Sequence, residues 1–312
     1  MKIVRGRCGD MPKIDFTGSV AIVTGAGAGL GRCHALEFAK RGAWVVVNDL
    51  GGTRDGTGSD TAAADKVVEE IRESGGEAVP NYDNVATVEG GERIVQAAID
   101  AFGKVDILVN NAGIIRDKTF YKMEEENWDA VVGVHLKGAY CVTRPAFANM
   151  RENGYGRIIM TTSGAGMFGN FGQSNYASAK AGLVGLANVL KLEGAKYNIN
   201  TNVIIPVAGS RLTEDVLPPD LMARMKPDFV TPLVLYLCSR QCMDSGVIIN
   251  AAMGYYSRTA IMTGPGAILS DGRKIPTPEE IMENWDSIMS LENPEYFDQV
   301  MTMFGKLSPL LQ

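Results

Sequence analysis

Long apolar runs are absent from this sequence: no stretch approaches the roughly 18 residues that a membrane-spanning helix needs, so no membrane span is expected. A cationic surplus is absent as well. The formal net charge is −6 and no Lys/Arg-rich run stands against it, which argues against a nucleic-acid partner. Cysteine is sparse: Cys8, Cys33, Cys141, Cys238 and Cys242 are odd in number and widely spread, which suits reduced thiols rather than a disulfide framework. Cys238 and Cys242 stand i, i+4, but no His or second Cys pair accompanies them, so they read as packing residues and no metal site is expected. The basic segment from Met1 to Lys13 lacks an apolar core, so no secretory signal is expected, and Leu310-Leu311-Gln312 is not a peroxisomal tripeptide. The expected compartment is therefore cytoplasmic.

What is present is enough for one substantial core with an appendage: 312 residues, 46% hydrophobic and 21% charged. The chain is organised around the stretch from Arg157 to Lys180. Ile158-Ile159-Met160 predicts a buried strand ending at Ser163, followed by a loop carrying Gly164, Gly166, Gly169 and Gly172. From Ser174 a helix is predicted, which places Tyr176 and Lys180, at i and i+4, on one face. A phenol is a poor base near neutral pH unless a nearby cation favours its phenolate, and Lys180 can supply that charge. Ser163 can then hold a carbonyl or hydroxyl oxygen while Tyr176 exchanges a proton with it, as alcohol/ketone interconversion requires.

Upstream, a strand from Ser19 to Val23 runs into Thr24-Gly25-Ala26-Gly27-Ala28-Gly29-Leu30-Gly31 and a helix from about Arg32 to Arg41. A strand, a glycine turn and a helix N-terminus form a pyrophosphate site, because the backbone can approach the anion and free N–H groups point at it. Asp49 ends the second strand, where a carboxylate accepts from both ribose hydroxyls and repels a 2′-phosphate, so NAD is the expected cofactor. Helical periodicity over Thr61–Ser74 and Thr87–Phe102 alternates with strands over Glu77–Tyr82 and Val105–Val109. That alternation predicts an α/β fold, a Rossmann-type doubly wound parallel sheet with helices on both faces. A long helix is predicted over Trp128–Met150, then a strand over Asn200–Ile205, a helix near Val230–Ser239 and a last strand near Gly246–Asn250. Between them, Glu214 to Asp228 reads as a flap over substrate. After Pro276, Ile281, Met282, Trp285, Ile288 and Met289 predict one helix with one apolar stripe.

With T-G-x-x-x-G-x-G read on Gly25, Gly29 and Gly31, the Asn110-Asn111-Ala112-Gly113 element after a strand, and Ser163/Tyr176/Lys180 in that order, the chain resembles the short-chain dehydrogenase/reductase family. The resemblance implies that Leu30 and the glycines hold the nucleotide, that Asn84 and Val85 meet adenine, and that Asn111, Ala112 and Gly113 flank the cofactor. It also implies that Thr213 reaches the carboxamide. His135 stands where the family commonly has Asn; there the backbone carbonyl is thought to hold a water in a relay from the lysine, a role any side chain at this position preserves. Family members commonly pair through two long helices, represented here by Trp128–Met150 and Ser174–Tyr197, which implies a homodimer or homotetramer.

From about Phe16 onward the layout, including NDLGG, VHLKG, GNFGQSNY, AGSRLT and a long tail, is similar to the (3R)-hydroxyacyl-CoA dehydrogenase units of peroxisomal multifunctional enzymes of type 2. That implies an acyl-CoA or steroid-type substrate and β-oxidation of fatty or steroid side chains. The alternatives are a dehydrogenase of free hydroxysteroids and, in a different class, a non-enzymatic nucleotide-binding regulator. An extended epimerase shares Tyr-x-x-x-Lys but has different glycine spacing and a separate substrate domain. The expected organisation is an N-terminal extension (1–15), an NAD-binding domain (16–252) and a helical C-terminal extension (253–312) packing on the core or on a subunit interface.

Overall fold

β1 (Val20–Thr24), β2 (Trp44–Asn48) and β4 (Ile107–Asn110) are almost wholly apolar and almost wholly buried, as strands covered on both faces must be. Alternate residues serve opposite layers: Ala21 and Val23 join one hydrophobic cluster, and Val20 and Ile22 join the other. The computed structural model describes residues 13–209 and 224–307. Thr213 and most of the expected flap, residues 214–223, lie outside the described residues.

Among the described residues, β3 (Glu77–Asn81), β5 (Gly156–Thr161), β6 (Ile199–Pro206), β7 (Ile248–Ala252) and β8 (Tyr255–Thr259) complete an eight-stranded sheet in the order β3-β2-β1-β4-β5-β6-β7-β8. The strand pairings from β3 through to β7 are all parallel. β1 pairs with β2 on one side and β4 on the other, so the strand order reverses there. In open α/β sheets, ligands bind beyond the carboxyl ends of the strands at such a reversal. One cluster packs α1 (Gly29–Lys40), α2 (Ala62–Glu73) and α8 (Thr231–Cys238) on the sheet through Phe38, Ile71 and Leu237. The other packs α3 (Val88–Phe102), α5 (Gly138–Asn153) and α7 (Ser174–Gly194) through Ile94, Val142 and Leu183. Cys238 and Cys242 are buried in the first cluster as free thiols, in keeping with a packing role.

Four local expectations are corrected. The long helix before β5 begins earlier, as α4 (Glu125–Val132), and is interrupted by a π-helical turn over Gly133–Lys137 before α5. The glycine loop after β5 contains a short helix, α6 (Gly164–Phe168), whose N-terminus Ser163 caps by accepting from the Ala165 N–H at 3.1 Å. β8 was not expected; it follows β7 across Met253 and Gly254, both at positive φ (46° and 84°), the requirement of a tight two-residue hairpin. In the second unit, Thr259–Gln312, the single helix expected after Pro276 is two: Pro278–Glu283, started by a Thr277/Glu280 capping box, and Trp285–Met289, with the break at Asn284. A small antiparallel ladder between Met262–Thr263 and Glu295–Tyr296 also belongs to this unit. No helix of the described residues is long and apolar enough to cross a membrane.

Candidate active site

The glycine turn is built by contact between β1 and the end of β4. Thr24 Oγ1 accepts from the N–H groups of Asn111 and Ala112 at 3.0 and 3.1 Å, and Asn111 Nδ2 donates to the carbonyls of Thr24 and Gly25 at 3.0 and 3.1 Å. The two motifs are thus one unit. Gly25, at φ +63°, passes so close to Ala112 that a Cβ would lie 2.7 Å from its Cα, and a Cβ on Gly31 would lie 2.2 Å from the Gly25 carbonyl oxygen. Only glycine fits either place. Gly25, Gly29, Leu30, Asp49, Asn84, Val85, Asn111, Ala112 and Gly113 line one cleft at the strand reversal, and Gly31 lies beneath it.

The glycine turn itself indicates whether a dinucleotide fits. α1 starts at Gly29 with no side-chain cap and no acidic residue in its first turn, which leaves its first N–H groups for an anion. A Cβ on Gly29 would meet no protein atom within 4 Å, so the backbone is bare on the cleft side. Asp49 closes the other end of this cradle: Oδ2 accepts from Gly27 N–H and Oδ1 from Gly51 N–H, both at 2.7 Å. These residues fit the phosphates and a ribose of a dinucleotide.

Ser163, Tyr176 and Lys180 come together as the sequence predicts. The Ser163 side chain lies beside Tyr176, and Lys180 Nζ lies 5.5 Å from the centre of the Tyr176 ring. Lys180 is buried and donates from Nζ to the Thr161 carbonyl oxygen at 2.6 Å, while its own carbonyl accepts from Thr162 Oγ1 at 2.6 Å, which fixes α7 against β5. Burial pushes the Lys180 ammonium down to about 7. Burial also pushes the Tyr176 phenol up, against a smaller opposing effect of the Ser163 hydrogen bond, with the Asp117 charge adding to the rise. In the chain alone, desolvation sets the direction of the Tyr176 shift. His135 lies in the π-helical turn with its ring edge-on to that of Tyr176, centroids 5.0 Å apart, and shares a small pocket with Lys180.

One residue that holds this site was not singled out in the sequence. Asn175 is fully buried; its Nδ2 donates to the carbonyls of Arg116 and Asn127, both at 3.1 Å, and its Oδ1 accepts from Tyr176 N–H at 2.8 Å. It ties the start of α7 to the loop after β4 and to α4, and so fixes where Tyr176 stands. Its signal was its place directly before Tyr176, since a buried amide needs several partners and the first turn of a helix has few to offer. Gln173 Nε2 adds a tie to Asp117 at 2.7 Å.

Comparison with known proteins agrees with this geometry. Residues 19–214 match the family model described as short chain dehydrogenase. The chain is similar to peroxisomal multifunctional enzyme A of Dictyostelium discoideum, 54% identical over 283 residues, covering 91% of this chain and 63% of that protein. It is also similar to a short-chain type dehydrogenase/reductase of Mycobacterium tuberculosis, 52% identical over 272 residues, covering 87% of this chain and 94% of that protein. Among solved structures, full-length peroxisomal multifunctional enzyme type 2 from Drosophila melanogaster superposes with a TM-score of 0.81 at 40% identity, covering 96% of this chain and 50% of that one. The chain therefore spans between half and two thirds of the two multifunctional relatives and nearly all of the mycobacterial one. With its glycine turn and Asn111-Ala112-Gly113 lining one cleft and Lys180, Tyr176 and Ser163 beside it, this chain belongs to the short-chain dehydrogenase family of oxidoreductases.

Proposed function

We propose that the chain is an NAD-dependent dehydrogenase interconverting a secondary alcohol and a ketone, with (3R)-hydroxyacyl-CoA and 3-ketoacyl-CoA as the pair, in β-oxidation of fatty or steroid side chains. The observation that carries this reading is Lys180 Nζ 5.5 Å from the centre of the Tyr176 ring, with Ser163 beside that ring and a cleft next to it that begins at the glycine turn. The substrate class follows the resemblance to multifunctional β-oxidation enzymes. Bound NAD supplies the hydride acceptor. The Ser163 hydroxyl holds the substrate oxygen, and Tyr176 takes the alcohol proton on oxidation and returns it on reduction. A phenol held high by burial is a ready acid for reduction, and as a base for oxidation it gains from rising pH. Lys180, placed behind Tyr176 and anchored on Thr161, supplies positive charge near the developing phenolate while it is protonated.

NAD in preference to NADP is part of this proposal and rests on the hold that Gly27 and Gly51 have on Asp49. Assembly as a homodimer or homotetramer through α5 and α7 is part of it too, and rests on Tyr140, Val189 and Leu192, which are about half exposed in the single chain. Cytoplasmic placement remains part of the proposal; the free thiols among the described residues suit any reducing compartment. The decisive experiment is a turnover panel of medium-chain, long-chain and steroid 3-hydroxyacyl-CoAs against free hydroxysteroids, each with NAD and NADP, with Tyr176→Phe as the control that binds NADH but turns nothing over. Turnover of free hydroxysteroids alone would replace the acyl-CoA reading, and no turnover of any alcohol would leave a nucleotide-binding regulator.

A further inference from the structure

His135 is 3% exposed and lies within the π-helical turn Gly133–Lys137, a local widening of the helix common at functional sites. Its Nε2 lies 2.7 Å from the carbonyl oxygen of Ile114 and 3.1 Å from the Ile114 nitrogen. One ring nitrogen cannot donate and accept at once; with the proton on Nε2, which the shorter contact to the Ile114 carbonyl favours at the cost of the bond from the Ile114 N–H, Nδ1 keeps a bare lone pair. Among the described residues Nδ1 is buried without a hydrogen-bond partner. The ring has little freedom to turn away: Tyr176 stands edge-on to it at 5.0 Å, and a Cβ on Gly113 would lie 2.3 Å from Cε1. A pocket of ≈ 10 Å³, about the room one water molecule needs, is lined by His135, Lys180, Asn110 and Thr24. Lys180 uses one of its three N–H bonds on Thr161, which leaves donors for this pocket.

We infer that His135 is a positioning residue for the Lys180/Tyr176 pair: its imidazole, in the Nε2–H form, holds one water that donates to Nδ1 and accepts from the Lys180 ammonium. The backbone carbonyl at this position needs no particular side chain, whereas this second anchor requires a side-chain acceptor in the right place. An imidazolium would offer a proton where the water must donate, so the neutral ring is the working form; burial first, and the Lys180 charge second, hold His135 well below the usual histidine range. The inference rests on the dehydrogenase reading of Tyr176 and Lys180.

The chain has two histidines, so long-range ¹⁵N–¹H spectra of histidine-labelled enzyme with NADH resolve both rings, and His34→Gln assigns them. The expected result is a neutral Nε2–H ring at His135 between about pH 6 and 9, with Nδ1 shifted as a hydrogen-bonded acceptor. An Nδ1–H tautomer, or an Nδ1 with the shift of a bare nitrogen, would overturn the inference whether or not any variant folds. His135→Phe should lower kcat about tenfold or more with KM and NADH affinity within about twofold, and His135→Asn, which keeps an acceptor, should recover most of it. Removing an acceptor disfavours the Lys180 ammonium, so the limb of the kcat profile that depends on protonated Lys180 should move to lower pH in the Phe variant. A folded Phe variant with unchanged kcat and pH profile would also overturn the inference. The ring's tautomer is read without substrate, so failure to turn over hydroxyacyl-CoA would remove the proposed activity and leave this measurement standing.

Discussion

Asp49 Oδ2 accepts from the backbone N–H of Gly27 at 2.7 Å, so the acid at the end of β2 is locked onto the glycine turn that starts α1. Gly51 N–H holds Oδ1 at the same distance, so the carboxylate cannot swing aside to admit another anion.

The first prediction follows from that lock. Like charges brought together at a binding site cost several kcal/mol, so the wild type should favour NAD over NADP in kcat/KM by about 100-fold or more, and Asp49→Ser should remove most of that ratio. Steady-state kinetics with both cofactors measure it, and a wild type that prefers NADP would show the role given to Asp49 to be wrong.

The parts of this site legible in the sequence are those set by short spacing. Gly25, Gly29 and Gly31 define a turn, Asp49 follows at the next strand end, and Tyr176 and Lys180 share a helix face because four residues make about one turn. Depth was not legible. The spacing of Tyr176 and Lys180 says that they are neighbours but not that Lys180 is buried and Tyr176 partly so, and desolvation sets the direction of both their pKa shifts. The contacts of the His135 ring with Ile114, and two of the three hydrogen bonds of Asn175, to Arg116 and Asn127, join residues that chain spacing alone does not place together. The break at Asn284 escaped the apolar stripe because Trp285 and Ile288 keep helical spacing across it.

The second prediction concerns Gly113. Its backbone needs no glycine conformation, but a Cβ would lie 2.3 Å from His135 Cε1. Gly113→Ala should cost about 1–3 kcal/mol of stability, as overpacking does. In a His135→Ala background the same change should cost about 1 kcal/mol less or better, because contacting sites couple. Urea denaturation of the four proteins gives the cycle, and additive costs would mean the ring is not what Gly113 makes room for.

The third prediction is a pH dependence. His34 on α1 is fully buried, bonded from Nδ1 to Thr231 Oγ1 at 2.8 Å, and burial pushes it down to about 3. Its folded pKa lies below its unfolded one, so protons bind the unfolded chain more readily. This histidine costs no stability above about pH 7.5, and stability falls as pH drops through about 6.5 toward 3. Between about pH 7.5 and 5.5 the loss should be of order 1 kcal/mol. His34→Gln should remove that part of the slope. Carboxylate contributions are common to both proteins and cancel in the difference, so equal slopes would contradict the neutral buried state of His34.

The last prediction concerns the second unit, Thr259–Gln312. All eight strands of the large sheet end by Thr259, and both hydrophobic clusters are made of residues between Phe16 and Ala251, so the nucleotide cleft owes none of its named residues to the tail. Among its described residues the second unit has only short helices and a two-residue ladder, and Met282, Trp285 and Met289 are each more than half exposed. Burying such side chains elsewhere would be worth about 1.5–3 kcal/mol each, enough to favour a docked tail but far from enough for an independent domain. Truncation after Thr259 should therefore leave NADH affinity within about twofold while weakening self-assembly or raising KM for a long-chain acyl-CoA. Sedimentation, thermal denaturation and kinetics on the truncated protein separate the outcomes. Loss of NADH binding would mean the first unit does not stand without the tail, and unchanged assembly, stability and KM would mean that the apolar side chains of the tail cover nothing the enzyme uses.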